Sequence, residues 1–174
     1  MMKILVDEKD FDAGAEIADL RMGNPQIGAV ASFVGLVRDT NAGSDVASMT
    51  LEHYPAMTRR ALETIVAEAG QRWALLDVTV IHRVGELHPG DQIVLVAVAS
   101  SHRADAFAAC AFIMDYLKTQ APFWKKELTP AGARWVEQRA TDEQAAARWT
   151  EPTSSPANKP LQPPDNPATA RKNE

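Results

Sequence analysis

A single dipeptide, Ala121-Pro122, divides the run Asp115 to Glu127 (DYLKTQAPFWKKE) into two halves that cannot share one secondary structure. The residues before it keep helical spacing of apolar side chains. Pro122 has no N–H to offer a helix, and it biases Ala121 towards extended backbone. The chain must therefore leave a helix, turn a corner and return, with Phe123 to Leu128 predicted as a strand. This places Lys118 on a helix end, two aromatics (Phe123, Trp124) after the corner, and Lys125 and Lys126 on the returning segment. Lys118 is in helical phase with Phe107, Ala111 and Met114, expected to lie on the buried side of that helix. A lysine in that phase, with further lysines brought back towards it, predicts a pocket built for an anion.

The remaining composition limits what that anion can be. The chain has 174 residues, a net charge of -5 and a pI of about 5.4. An acidic body argues against a general nucleic-acid binder and requires the basic cluster to be local. The single cysteine, Cys110, allows no disulfide framework and no zinc quartet, which fits a reducing cytosol, and it is expected as a small buried hydrophobe. The four histidines (His53, His82, His88, His102) show no metal-ligand spacing with carboxylates or with Cys110. No apolar run approaches the roughly 20 residues of a membrane span. The start, MMKILVDEKD, reaches Asp7 and Glu8 too soon for a signal peptide.

Taken in order, Met2 to Val6 is expected as a strand and Asp10 to Leu20 as a short amphipathic helix stopped by Gly23-Asn24-Pro25. Ile27 to Val34 is a strand closed by Gly35, followed by a polar loop and a strand from Val46 to Tyr54. Pro55 opens a long helix with Leu62, Ile65, Val66, Ala69 and Trp73 in register. Leu75 to Val84 is a strand, residues 85–91 a turn-rich connection, and Gln92 to Ala99 an aliphatic strand expected at the centre of a sheet. Ser100 and Ser101 are candidate N-caps for a helix reaching Thr119, with Phe107, Cys110, Ala111, Met114 and Leu117 as its buried stripe. Phe123 to Leu128 and Arg134 to Gln138 form a predicted hairpin, and Thr141-Asp142-Glu143 opens a last short helix ending near Trp149. There are no internal repeats. Strands and helices mix without strict alternation, so the expected class is α+β, with a mixed sheet and a C-terminal hairpin. Residues 151–174 hold six of the 11 prolines and one large apolar residue, Leu161. The expected organisation is one domain over 1–150 and a disordered Pro-rich tail over 151–174.

Four basic features are candidates for the site. Arg38 follows a strand and Gly35; it is either a solvated loop arginine or a fork-shaped clamp for phosphate or carbonyl oxygens. His102-Arg103 opens a helix, where positive charge opposes the macrodipole unless an anion binds there. Lys118 at the other end suits the dipole and can extend to solvent, but its phase argues for a role inside. A desolvated amine beside other cations would have a lowered pKa and serve as nucleophile or base. Lys125 and Lys126 alternate faces on a strand, so one of them at most can face Lys118. Residues 102 and 118 are roughly 24 Å apart along a helix at 1.5 Å per residue. One small ligand does not bridge both ends within one chain, so the expectation is a site shared between two chains of a symmetric dimer.

The blocks GAVASFVGLVRD, LEHYPAM, VIHRVGELHPGD, SSHRADAF and FIMDYLKTQAPFWKKE, in that order, resemble the large, catalytic subunit of molybdopterin synthase over roughly Lys3 to Trp149. The resemblance implies an α/β hammerhead-like fold. It implies an enzyme that makes the molybdopterin dithiolene from cyclic pyranopterin monophosphate, with sulfur supplied by the C-terminal glycine thiocarboxylate of a small ubiquitin-like subunit. Two large subunits would form a central homodimer within a heterotetramer, in the cytoplasm. By position, Lys118 and Lys125 match lysines regarded as catalytic. Leu36, Val37, Arg38, His102, Arg103, Lys118, Lys125, Lys126 and Glu127 match substrate-binding positions. Leu36 stands where relatives carry a basic residue, so a role there would run through its backbone or apolar contact. The resemblance implies no cofactor and no metal for sulfur insertion itself. Lys118 would act as general acid/base or form a transient covalent bond to the partner's terminal carbonyl. The competing class is a non-enzymatic pterin- or nucleotide-phosphate-binding module using the same basic pocket; a plain scaffold for ubiquitin-like proteins would need neither Arg38 nor His102.

Overall fold

The computed structural model describes residues 2–136 and 140–150. The expected tail at 151–174, and Gln138 at the end of the expected hairpin, lie outside the described residues. A mixed four-stranded sheet is the backbone of the fold. Its strands are β1 (Met2–Asp7), β2 (Ala29–Leu36), β6 (Leu75–Arg83) and β8 (Gln92–Ser100), in the order β1-β6-β8-β2. β1 runs parallel to β6, and the other two pairings are antiparallel. β8 is inside the sheet, and its alternate residues feed two separate cores. Val94, Val96 and Val98 face α2 (Pro55–Arg72) and α3 (Arg103–Gln120), where Leu62, Ile65, Phe112 and Ile113 meet them. Leu95, Ala97 and Ala99 face Leu20 and Ile17 of α1 (Ala13–Leu20). Burial on both faces is why this strand reads as an unbroken aliphatic run.

A second, antiparallel sheet has the order β10-β9-β5-β7, built from β5 (Ser48–His53), β7 (Gly85–Leu87), β9 (Phe123–Thr129) and β10 (Gly132–Val136). A two-stranded hairpin, β3 (Thr40–Asn41) with β4 (Ser44–Asp45), lies in the polar loop after β2. The last helix, α4 (Ala140–Ala147), is fastened to α3 through Asp115, whose Oδ2 accepts from Arg148 Nη2 at 2.7 Å and from Trp149 Nε1 at 2.8 Å. Among the described residues no helix is long and apolar enough to cross a membrane.

The α+β class is as expected, and several local expectations are corrected. α1 starts at Ala13, because the Asp12 carboxylate accepts the Ala15 N–H at 3.0 Å and acts as its N-cap. β2 does not stop at Gly35 but runs to Leu36 through an irregular register. The turn-rich stretch after β6 contains β7, which pairs with β5. His102, not a serine, is the N-cap of α3; the Ser100 hydroxyl accepts the His102 N–H and donates to the Ala74 carbonyl. Phe107 is 67% exposed rather than part of the buried stripe of α3. That stripe consists of Ala106, Ala109, Cys110, Phe112, Ile113, Met114, Tyr116 and Leu117. It spans most of the helix circumference because the sheet, α2 and α4 all pack on α3.

The turn carrying His102 and Arg103 is held by a close backbone approach. Gly28 donates its N–H to the Ser100 carbonyl at 3.1 Å, and a Cβ at Gly28 would sit 2.3 Å from the Ser101 carbonyl oxygen. Backbone cannot swing aside as a side chain can. Gly28→Ala should therefore destabilise the protein by about 1–3 kcal/mol, read as a lower urea midpoint. A midpoint equal to wild type would show that the turn yields freely.

Candidate functional site

The Pro122 corner forms as its chemistry requires. Ala121 is extended (φ -77°, ψ 131°), and Phe123 N–H donates to the Ala121 carbonyl at 2.8 Å. The Thr58 hydroxyl, fully buried on α2, donates to the Pro122 carbonyl at 3.4 Å. Phe123 then packs flat on His82, with ring centroids 3.8 Å apart and planes 14° apart. It also stacks more loosely with His53, at 6.2 Å between centroids. This fixes the phase of β9: Phe123, Lys125 and Glu127 point inward, and Trp124, Lys126 and Leu128 outward.

The inward side chains close a cleft of about 660 Å³ between the two sheets and the end of α3. Its walls carry Arg38 after β2, Lys118 on the last turn of α3, and Lys125 on β9. Val94, Met114, Leu117 and Phe123 make an apolar floor, and Leu36, 53% exposed, stands on the lining. Asp142, brought in by α4, lies with its Oδ1 3.7 Å from Lys118 Nζ.

Glu127 also lines the cleft, but its carboxylate is engaged within the fold. Oε1 accepts from Asn41 Nδ2 at 2.8 Å, and Oε2 accepts from Arg134 Nη2 at 3.1 Å. It is 5% exposed, so it ties the β3–β4 hairpin to β9 and β10 more directly than it offers charge to a ligand. With Glu127 engaged by Arg134 and Asn41, the charged side chains left on the described lining are Arg38, Lys118 and Lys125 against Asp142, a local excess of positive charge on an acidic protein.

The remaining sequence candidates lie elsewhere. Lys126 is on the outer face of β9, with its ammonium 5.5 Å from the centre of the Trp135 ring. Val37 is buried, and its N–H donates to the Asp91 carbonyl at 2.9 Å while its carbonyl accepts from Gly90. His102 and Arg103 are exposed at the far end of α3, where no side chain caps the helix. One chain therefore brings together Arg38, Lys118, Lys125 and Glu127 and leaves His102-Arg103 apart.

His82 is on the floor of the same cleft and was not among the sequence candidates, since its neighbours offered no metal-ligand spacing. Burial pushes its pKa down from 6.5 to about 3, with the Lys125 charge and His53 adding to the shift and a hydrogen bond to the Arg83 carbonyl opposing it. The ring is neutral at pH 7. Among the described residues no group of His, Cys, Asp and Glu is arranged to hold a metal ion.

Comparison with known proteins gives this cleft a context. The family profile described as MoaE protein matches residues 6–120. The chain belongs to the MoaE family. A molybdopterin synthase catalytic subunit from Ralstonia nicotianae is 69% identical over 149 residues, covering 86% of this chain and 85% of that protein. A MoaE protein from Burkholderia ambifaria of solved structure is 60% identical with a TM-score of 0.74, covering 87% of this chain and 99% of that one. Molybdopterin synthase from Staphylococcus aureus superposes with a TM-score of 0.70 at 29% identity, over 78% of this chain and 96% of that one.

The sign of the His82 shift makes a test. Between pH 6.5 and about 3 the unfolded chain binds a proton at this position that the folded protein excludes. Stability therefore rises with pH through that window. His82→Phe should flatten the rise in urea-unfolding free energy between pH 4 and 6.5. Parallel pH profiles for the two proteins would contradict the neutral buried imidazole.

Proposed function

We propose that the chain acts as the catalytic subunit of molybdopterin synthase, and that the cleft lined by Arg38, Lys118 and Lys125 is where sulfur is transferred. The reaction takes sulfur from the C-terminal thiocarboxylate of a small ubiquitin-like subunit to cyclic pyranopterin monophosphate, forming the dithiolene. The observation that carries this reading is the cleft: three cations converge over an apolar floor on a chain of net charge -5. A phosphorylated, flat heteroaromatic substrate needs both features.

In this reading Arg38 holds the anionic part of the pterin through its planar fork of donors. The glycine end of the small subunit enters towards Lys118. Lys118 and Lys125 stabilise negative charge on the thiocarboxylate and on oxyanions that form as sulfur attacks the pterin side chain. Lys118 sits in the last turn of α3, the end of the helix where the macrodipole attracts positive charge. Asp142 beside it leaves the ion pair when the anionic ligand arrives. His102 and Arg103 serve the cleft of a second copy, which fits their separation from Lys118 and a homodimer at the centre of a heterotetramer. The working compartment is the cytoplasm. Residues 1–150 supply this activity, and the 151–174 stretch is a tail outside it.

Product mass tests the assignment when the protein is mixed with a thiocarboxylated small subunit and the cyclic pterin monophosphate. Wild type should add two sulfurs. Lys118→Ala should keep the wild-type unfolding midpoint and lose turnover by about 100-fold or more. Arg38→Ala should chiefly weaken pterin binding, by roughly 10- to 100-fold. Pterin binding without sulfur transfer by wild type would favour a binding module instead. Full turnover by Lys118→Ala would remove that residue from the chemistry.

A further inference from the structure

Three of the charged side chains on the cleft wall are pure donors. Arg38, Lys118 and Lys125 can only donate in their charged forms. Both Glu127 oxygens are engaged by Asn41 and Arg134, and Asp142 faces Lys118. On the floor, His82 is different. It is 3% exposed, and its Nδ1 lies 2.8 Å from the Arg83 carbonyl oxygen. A carbonyl only accepts, so Nδ1 carries the proton and Nε2 is left with a lone pair. Nε2 has no hydrogen-bond partner among the described residues, yet the only fully buried side-chain polar atom among them without a partner is His53 Nδ1. Nε2 therefore retains open space beside it, and the space His82 lines is the cleft.

We propose that His82 is a further ligand-binding residue of the cleft, its Nε2 accepting a hydrogen bond from a ring N–H group of the bound pterin. The inference rests on the proposed function for the identity of the ligand. The cations recognise the anionic end of such a molecule but offer nothing to the N–H edge of its heterocycle. A buried donor left unpaired is costly, so an acceptor on an otherwise apolar floor fixes which way the ring lies. The flat contact with Phe123 holds the imidazole in plane, and the Arg83 carbonyl fixes its tautomer. Around it, the charged or titratable groups are Lys125 and His53 nearby, and Arg38, Lys118, Glu127 and Asp142 on the walls. The proton-free Nε2 is kept by burial down to about pH 3.

Two measurements on the full-length protein test this, with cyclic pyranopterin monophosphate as the probe. The first is the affinity of wild type, His82→Phe and His82→Gln. Phenylalanine keeps the ring stack and loses the acceptor, whereas glutamine returns an oxygen near the Nε2 position. His82→Phe should bind about tenfold more weakly and His82→Gln within about threefold of wild type. The second is the ¹⁵N spectrum of histidine-labelled wild type. It should show His82 neutral with its proton on Nδ1 at pH 7, and its Nε2 resonance should move when the pterin saturates the protein. If His82→Phe does not fold, this spectrum decides alone. An Nε2 resonance unmoved at saturation, or wild-type affinity in His82→Phe, overturns the inference while leaving the proposed function in place. A wild type that binds no pterin overturns both.

Discussion

The flat packing of Phe123 on His82 is the contact on which the cleft depends. Pro122 ends α3, but a proline only stops a helix; it does not say where the chain goes next. The direction comes from burying Phe123 against the end of β6 and from the Thr58 hydroxyl on the Pro122 carbonyl. Once Phe123 is inside, strand alternation puts Lys125 and Glu127 inside too. A slip of one residue would exchange them for Trp124 and Lys126. Pairing of β9 with β5 on one edge and β10 on the other holds that register along its length.

The same contact explains how an acidic protein maintains a positive cleft. Lys125 is carried to the inner face by the alternation of β9. Glu127, the carboxylate that would neutralise it, is turned to Arg134 and Asn41 and fastens the β3–β4 hairpin instead. Lys118 comes from a different element and gains from the end of its helix. Two lysines from two elements, with Arg38 from a third, give a field that no local sequence run would create. This is why net charge excluded a general polyanion partner while leaving a specific anionic ligand open.

Much of this was legible from local chemistry. The Pro122 corner, the aliphatic β8 and the opposite faces of Lys125 and Lys126 follow from rules that act within a few residues. What was not legible depended on partners far along the chain. Phe107 keeps a core-like phase on α3 yet is exposed, because Phe33 and Ala31 of β2 leave an apolar groove beside it rather than a cover. The partners of Glu127, Arg134 and Asn41, are likewise invisible locally, Asn41 lying 86 positions away. His82 carries no local signal of its role, because its neighbours Phe123 and Lys125 lie more than forty positions away. The polar loop after β2 hid a hairpin because two-residue strands carry almost no alternation signal.

The separation of His102-Arg103 from Lys118 makes the central claim, a cleft completed by a second copy, directly measurable. The decisive experiment mixes Lys118→Ala and Arg103→Ala proteins under conditions where subunits exchange, and follows dithiolene product. Each variant alone should be close to inactive. In a mixed dimer one of the two sites keeps both residues, so a shared site predicts recovery of about a quarter of wild-type activity. No recovery after complete exchange would contradict the account and confine the chemistry to the cleft of a single chain.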